Sequence, residues 1–210
     1  MSSSKPPGTS SGAAERPSAY ARYLTLPTPS DTVRGLFING VLAVVRHHGG
    51  DAALKECFQL LGDKRFERSF VSFSSYPTAD FVRVLVAASQ VLSPQFGSPD
   101  ATARHLGAAT VRDFLDSMAG KTLMLLSGGE PQKMLANIPS AYRAASSFGE
   151  RTVVAKGEKS AVVTFKHDFM PLAHTEGVLL AVLQASHARN PQVRSRSLGT
   201  LDSEYDVSWE

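Results

Sequence analysis

The chain has 210 residues, of which 42% are hydrophobic and 20% charged, which is enough to bury one full core in a single domain. The formal net charge is only +3, so the composition does not favour nucleic acid as a partner, which would require basic side chains concentrated on one face. The single cysteine, Cys57, excludes an intrachain disulfide and a cysteine-rich zinc site.

The N-terminal residues differ in composition from the rest of the chain. Residues 1–19 are rich in Ser, Pro and Gly and poor in large apolar groups, which predicts a disordered arm. With its lead-in, this arm covers residues 1–30, and a single domain is expected over residues 31–210. The first apolar run comes only after Pro29, which argues against a signal peptide, and no apolar run reaches the roughly 18 residues of a membrane span. We therefore expect a cytoplasmic protein.

Helical periodicity dominates residues 31–149. Ser30 or Asp31 is the candidate N-cap of a first helix, which is expected to end at Gly49–Gly50. Asp51 is expected to cap a second helix, with a buried Cys57 on its apolar face.

Further helices are predicted after Pro77 and after Ser98. The second of these is expected to be one long helix or two helices broken near Gly107. The segment "GGEPQKMLANIPSAYRAASSFG" predicts another helix, and Pro139 within it predicts a break at Ile138–Pro139, because proline removes a backbone donor and clashes with the preceding turn.

The pattern changes to strands in residues 150–210. Alternation on either side of Lys156-Gly157-Glu158-Lys159 indicates a β-hairpin, "LAHTEGVLLAVLQASHA" is helical, and two more strands follow. Arg194 and Arg196 are expected, with Arg189, on a solvated strand edge. The fold class is thus α+β: a helical N-terminal part followed by a β-β-α-β-β unit with a mainly antiparallel sheet.

This order of elements resembles the H-NOX (haem nitric-oxide/oxygen-binding) fold. The residues that carry the resemblance are "VRGLFINGVLAVVRHHGG", "YPTADFVRVLVAASQVL", "MLANIPSAYR" and "AVVTFKHDFMPLAHTEGVLLAVL", followed by "YDVSW". The segments "RGLFINGVL", "LSGGEPQKMLANIPSAYR" and "YDVSWE" further resemble an uncharacterised family of paralogues found in myxobacteria. Together the resemblance covers about residues 31–210.

H-NOX proteins hold haem iron through a histidine on the helix that resembles "MLANIPSAYR", and they bind the haem propionates with a Tyr-x-Ser-x-Arg motif. The resemblance places Tyr142 at the histidine position and Phe165, His167 and Phe169 at the three motif positions, so all four differ. The missing arginine matters most, since a propionate requires a fixed guanidinium that Phe169 cannot offer. The resemblance therefore implies an H-NOX-like architecture that has not retained its haem-binding motifs.

Tyrosinate is also a known ligand of haem iron, so Tyr142 does not by itself exclude a haem. Such a site would need a nearby cation to lower the pKa of the phenol. Arg143 is the nearest candidate in the sequence.

The stretch "FKHDFMPLAHTEG" holds four candidate metal ligands, His167, Asp168, His174 and Glu176. Neighbouring residues on a strand point to opposite faces, and residues at i and i+2 on a helix also diverge. The spacing therefore favours four solvated or capping polar groups over a shared metal ion.

Among the remaining histidines, His47 and His48 are a second possible ligand pair, but neighbouring residues on a helix point about 100° apart, which favours a capping role. His47 and His48 are expected to cap the end of a helix, whereas His105 and His187 are expected to be isolated.

No catalytic constellation with specific spacing is present, which predicts a non-enzymatic regulatory or sensory binding module without a cofactor. Its partner is expected to be a small apolar ligand or another protein. Candidate pocket residues are Leu135, Ile138, Tyr142, Phe165 and Phe169, with His167 as a polar contact; simple core packing explains the same residues. Two alternatives stay open: a haem or tetrapyrrole sensor with altered ligands, and a small metal-dependent enzyme centred on His167, His174 and Glu176.

Overall fold

The computed structural model describes residues 20–210; the predicted disordered arm, residues 1–19, lies outside the described residues. The helices are α1 (Gly35–Leu61), α2 (Thr78–Phe96), α3 (Pro99–Asp116), α4 (Met118–Ser127), α5 (Pro131–Ala136), α6 (Ile138–Ala145) and α7 (Leu172–Ala185). The strands are β1 (Thr32–Arg34), β2 (Ser75–Pro77), β3 (Glu150–Gly157), β4 (Ser160–Lys166), β5 (Gln192–Ser197) and β6 (Ser203–Ser208). This order confirms the predicted α+β class, with a helical part followed by a β-β-α-β-β unit.

Local chemistry explains several helix boundaries. Gly50 has a φ of 70° inside α1 and produces a kink where the sequence predicts the first helix to end. Ser98 caps α3, because its hydroxyl accepts the N–H of Ala101 at 3.1 Å. Asn137 separates α5 from α6, so the break predicted from Pro139 is present one residue earlier than Ile138.

The predicted N-cap at Ser30 or Asp31 is wrong. Residues Thr32–Arg34 form β1, which pairs antiparallel with β2, and α1 begins only at Gly35. The Asp31 carboxylate instead accepts the N–H of Thr28 at 2.7 Å. Pairing with a distant segment thus overrides the local capping signal.

Helix α3 runs through Gly107 without a break, because this glycine serves a helix crossing. A Cβ at Gly107 would overlap the carbonyl oxygen of His174 in α7, and a Cβ at Gly177 in α7 would overlap the carbonyl oxygen of Arg104 in α3. The two glycines let the backbones of α3 and α7 approach closely. The chain breaks instead at Ser117, whose hydroxyl accepts the N–H of Gly120 at the start of α4.

The larger sheet is antiparallel throughout, in the order β3-β4-β6-β5. Alternate residues of β4, Ala161, Val163 and Phe165, are buried together with apolar residues of α7. Arg194 and Arg196 lie exposed on the edge strand β5. A second apolar cluster fills the space among α1, α2 and α3, so the two parts of the chain meet along α3 and α7.

Within residues 20–210, none of the helices combines the length and the apolar composition needed to cross a bilayer. The Cys57 side chain is fully buried, and burial raises the pKa of its thiol to about 12. It therefore occupies the buried position that the sequence predicts.

Candidate functional site

A cavity of about 110 Å³ lies where the helical part meets the β-β-α-β-β unit, and its wall is almost entirely apolar. Several helices contribute to this wall, as does the loop before β3. Its members include Phe81 of α2, Thr110, Val111 and Phe114 of α3, Leu123 of α4, Ile138 and Tyr142 of α6, Phe148, and His174 and Val178 of α7.

His174 is the unusual member of this wall. Its residue is only 4% exposed, and neither Nδ1 nor Nε2 has a hydrogen-bond partner. The ring of Phe81 lies edge-on to the His174 imidazole, with 6.2 Å between the two ring centroids. Burial lowers the pKa of His174 to about 4, so the imidazole is neutral near pH 7. A buried polar group without a partner is costly, and such groups in folded proteins call for an explanation.

Two hydroxyl groups of the wall are already paired. The hydroxyl of Thr110 donates to the carbonyl of Gly107 at 2.7 Å, and that of Ser146 donates to the carbonyl of Tyr142 at 3.2 Å. His174 is a fully buried side chain of the wall whose two nitrogens keep their hydrogen-bonding capacity for a bound molecule.

Asp168 also reaches the cavity wall, but it belongs to a buried ion pair. Arg151 of β3 donates to the Asp168 carboxylate at 3.2 Å and to the backbone carbonyl of Phe148. Thr175 approaches the second carboxylate oxygen at 3.4 Å. Burial raises the pKa of Asp168, while the Arg151 guanidinium opposes that shift. The carboxylate is thus held by its own chain.

The cation beside Tyr142 is Arg151, not the predicted Arg143. The Arg151 guanidinium lies 4.4 Å from the centroid of the Tyr142 ring, whereas Arg143 is exposed and donates to Ser140. Burial nevertheless raises the pKa of Tyr142, because desolvation outweighs the attraction of Arg151. The phenol therefore stays protonated, which disfavours a tyrosinate ligand.

The six predicted pocket residues occupy three different environments. Ile138 and Tyr142 line the cavity. Leu135, Phe165 and Phe169 are fully buried in the apolar clusters. The ring of Phe165 contacts that of Tyr142, with 5.3 Å between the ring centroids, and the ring of Phe169 contacts that of Phe148, with 5.0 Å between the centroids.

His167 lies outside the wall. Its side chain is 53% exposed, because it follows the end of β4 with a φ of 53° that turns the ring outward over Phe169. The backbone N–H of His167 donates to the Asp202 carboxylate.

The structure does not bring the four polar residues of "FKHDFMPLAHTEG" together, because His167, Asp168 and Glu176 have separate partners and His174 has none. The expectation that all four are solvated or capping groups is wrong, because Asp168 and His174 are buried at the junction of the two parts. Glu176 is largely buried too, and its carboxylate accepts hydrogen bonds from Arg104 at 2.6 Å and from Ser195 at 2.5 Å. Among residues 20–210, no group of three or more His, Cys, Asp or Glu is placed to hold a metal ion.

Sequence reasoning missed Arg151, which lies in a strand with no motif around it. Its partners Tyr142 and Asp168 are 9 and 17 positions away, so only tertiary contact identifies it. The predicted isolation of His105 is also wrong, because its Nε2 lies 3.0 Å from the Nε2 of His48.

The fold is that of the H-NOX proteins. The chain is similar to an H-NOX protein from S. oneidensis in the Fe(II)NO ligation state, with a TM-score of 0.69, 11% identity, and coverage of 84% of this chain and 99% of that one. It is also similar to a mutant of T. Tengcongensis H-NOX, with a TM-score of 0.68, 10% identity, and coverage of 84% of this chain and 97% of that one. A third similar structure is the Fe(II) unliganded H-NOX protein from K. algicida, with a TM-score of 0.66, 15% identity, and coverage of 84% and 96%. Among curated proteins, none matches this chain.

The chain belongs to the family described as "Protein of unknown function (DUF2378)", whose model matches residues 27–210. The prediction of an uncharacterised family with an H-NOX-like architecture is thereby confirmed. A myxobacterial origin stays a prediction.

The residues around the cavity do not fit a haem held as in the family that the sequence resembles. A propionate would lack a free guanidinium, because Arg151 is paired with Asp168 and Phe169 is apolar and buried. The cavity of about 110 Å³ is also smaller than the roughly 300–1,000 Å³ of pockets that hold drug-sized ligands. The unpartnered His174 could ligate iron through a ring nitrogen. One iron ligand, however, supplies neither the volume that a haem needs nor a cation for its propionates.

Proposed function

We propose that this protein is a non-enzymatic regulatory or sensory module that binds a small, neutral and mainly apolar molecule in the cavity between its two parts. The observation that carries the proposal is the buried imidazole of His174, which faces an apolar cavity with both nitrogens unpartnered. A ligand with one polar group would pair with that imidazole and bury its remaining surface against the apolar wall. The proposal includes no haem.

The size of the cavity limits the ligand. An engineered apolar cavity of about 150 Å³ in another protein stays dry and binds benzene or xenon. A cavity of about 110 Å³ therefore suits a molecule no larger than a single aromatic ring. A phenol-like molecule has both the required size and one hydroxyl group that can donate to or accept from neutral His174.

Comparing phenol with benzene tests this proposal. In the wild-type chain we expect phenol to raise the melting temperature more than benzene does at the same concentration, because only phenol satisfies His174. His174→Leu should remove the preference for phenol. Ala141→Leu, which places a larger side chain in the cavity wall, should abolish the shift with both compounds.

The control is Ala144→Leu, an exposed position of the same helix α6 that does not line the cavity. It should respond to both compounds as the wild type does. The absence of a shift in the wild type, or an equal shift in Ala141→Leu, would contradict binding in this cavity.

A protein partner stays a prediction. Met118, Leu125 and Leu126 of α4 expose most of their side-chain surface, and Leu123 of the same helix lines the cavity. We expect a partner to bind on this outer face of α4, where a change in the cavity could be transmitted.

A further inference from the structure

Two histidines from different helices, neither of which lines the cavity, meet in the helical part. The Nε2 atoms of His48 in α1 and His105 in α3 lie 3.0 Å apart, although the residues are 57 positions apart in sequence. The ring of Phe96, at the end of α2, stacks on His105 at 4.5 Å and meets His48 edge-on at 5.2 Å. Contacts from three helices therefore hold the two imidazoles with their Nε2 atoms converging.

A hydrogen bond joins the two imidazoles, because their Nε2 atoms lie within hydrogen-bonding distance. Two neutral imidazoles that share one N–H···N hydrogen bond carry one proton between the converging nitrogens. If that proton moves to Nδ1 of the donating ring, both Nε2 lone pairs face the same point.

The distance between the nitrogens matches two ligands of one metal ion. With metal–nitrogen bonds of about 2.0–2.1 Å, two ligands are about 2.9 Å apart at a right angle and about 3.3 Å apart at the tetrahedral angle. The observed Nε2–Nε2 distance of 3.0 Å is close to the separation expected for two ligands at a right angle. Right angles between nitrogen ligands are typical of tetragonal Cu(II) and Ni(II), and imidazole suits both ions.

We propose that His48 and His105 form a binding site for Cu(II) or Ni(II), in which their Nε2 atoms occupy two adjacent positions of a tetragonal ion. Water fills the open positions, since both residues are partly exposed. The nearest further imidazole is that of His47, whose ring lies 4.8 Å from that of His48. Arg112 opposes the bound cation, and the two-residue ligand set favours copper over the weaker-binding divalent ions of the first transition row.

Such a site would link α1 to α3 and is independent of the cavity. The untagged full-length chain should bind one Cu(II), and its electron paramagnetic resonance spectrum should show coupling to two imidazole nitrogens. His48→Ala and His105→Ala should each weaken Cu(II) binding about tenfold or more and leave coupling to no more than one imidazole nitrogen of the pair.

The matched control is His187→Asn, which removes an exposed histidine at a position whose left-handed backbone asparagine tolerates. It should bind Cu(II) as the wild type does. Circular dichroism without metal verifies that each variant is folded. If an alanine variant does not fold, His48→Gln or His105→Gln takes its place.

Equal Cu(II) affinity in the wild type and in both pair variants would overturn the proposal. So would a wild-type spectrum without coupling to two imidazole nitrogens. Because the phenol and benzene measurements use no metal, either result can fail without the other.

Discussion

His174 illustrates how one residue can destabilise a fold and still define its site. Its imidazole could hydrogen-bond in water but has no partner in the folded chain. Folding therefore costs the desolvation of the ring without a compensating bond. This cost supports the proposal that a molecule with a polar group binds beside His174.

The pH dependence of stability provides a test of this burial. The unfolded chain protonates His174 near its ordinary pKa of 6.5, whereas the folded chain does so only near 4. Between these values the unfolded state binds more protons, so the contribution of His174 to the free energy of unfolding falls as pH falls, by about 3 kcal/mol over the whole window. His174→Leu should lose this contribution. In urea denaturation, the free energy of unfolding of the variant should therefore rise relative to that of the wild type as the pH is lowered from 7 to 4.5.

The difference between the two proteins isolates His174, because Asp168, His48 and His105 titrate in both. Parallel stability curves for the variant and the wild type would show that His174 is solvated or paired in solution.

The buried pair of Arg151 and Asp168 makes a second prediction at this scale. Both side chains are almost fully buried, so Arg151→Met leaves a carboxylate without its counter-ion. We expect the free energy of unfolding to fall by about 3–5 kcal/mol. Adding Asp168→Asn should restore part of that loss, since no buried charge then remains. A double variant that loses the sum of both single effects, measured by denaturant unfolding, would argue against a coupled pair.

At the scale of elements, the crossing of α3 and α7 positions the site. Gly107 and Gly177 allow the two backbones to approach, and His174 lies on α7 beside this crossing. The side chains of α3 and α7 can therefore form opposite parts of one cavity wall.

Gly177→Ala should disrupt this crossing. Its Cβ would overlap the backbone of Arg104, which cannot move without shifting α3, so we expect a loss of about 1–3 kcal/mol despite the better helix propensity of alanine. Gly199→Ala is the matched control, because the nearest atom to its Cβ lies 3.9 Å away, and it should change stability by less than about 0.5 kcal/mol. Equal melting temperatures for the two variants would contradict the close crossing.

At the scale of the whole molecule, an H-NOX-like fold surrounds a cavity whose residues do not fit a haem. The fold supplies two parts that meet along α3 and α7, while the side chains at the junction decide what can enter. The same architecture is therefore compatible with the small ligand proposed above.

Haem reconstitution tests this view. After incubation with haem and removal of the excess, we expect the protein to carry no stoichiometric Soret absorbance and no rise in melting temperature. The reasons are the occupied guanidinium of Arg151 and the small cavity. A sharp Soret band at one haem per chain would favour the tetrapyrrole sensor, and its loss in His174→Leu would identify the ligand.

The sequence by itself predicted the order of most helices and of the β-β-α-β-β unit and, through diffuse resemblance, the fold, although it missed β1 and the separate helix α4. Local signals were sufficient for this: Ser98 caps a helix, Gly50 kinks one, Pro139 breaks one, and Lys156–Lys159 turns a hairpin. Each of these signals acts within a few residues along the chain.

Only the tertiary structure decided which polar side chains are buried and which partners they meet. The same short stretch contains an exposed His167, a paired Asp168 and an unpartnered His174. Their environments depend on β3, α2 and α3, which are distant in sequence. Burial and pairing arise where two surfaces meet, so periodicity along one segment does not specify them.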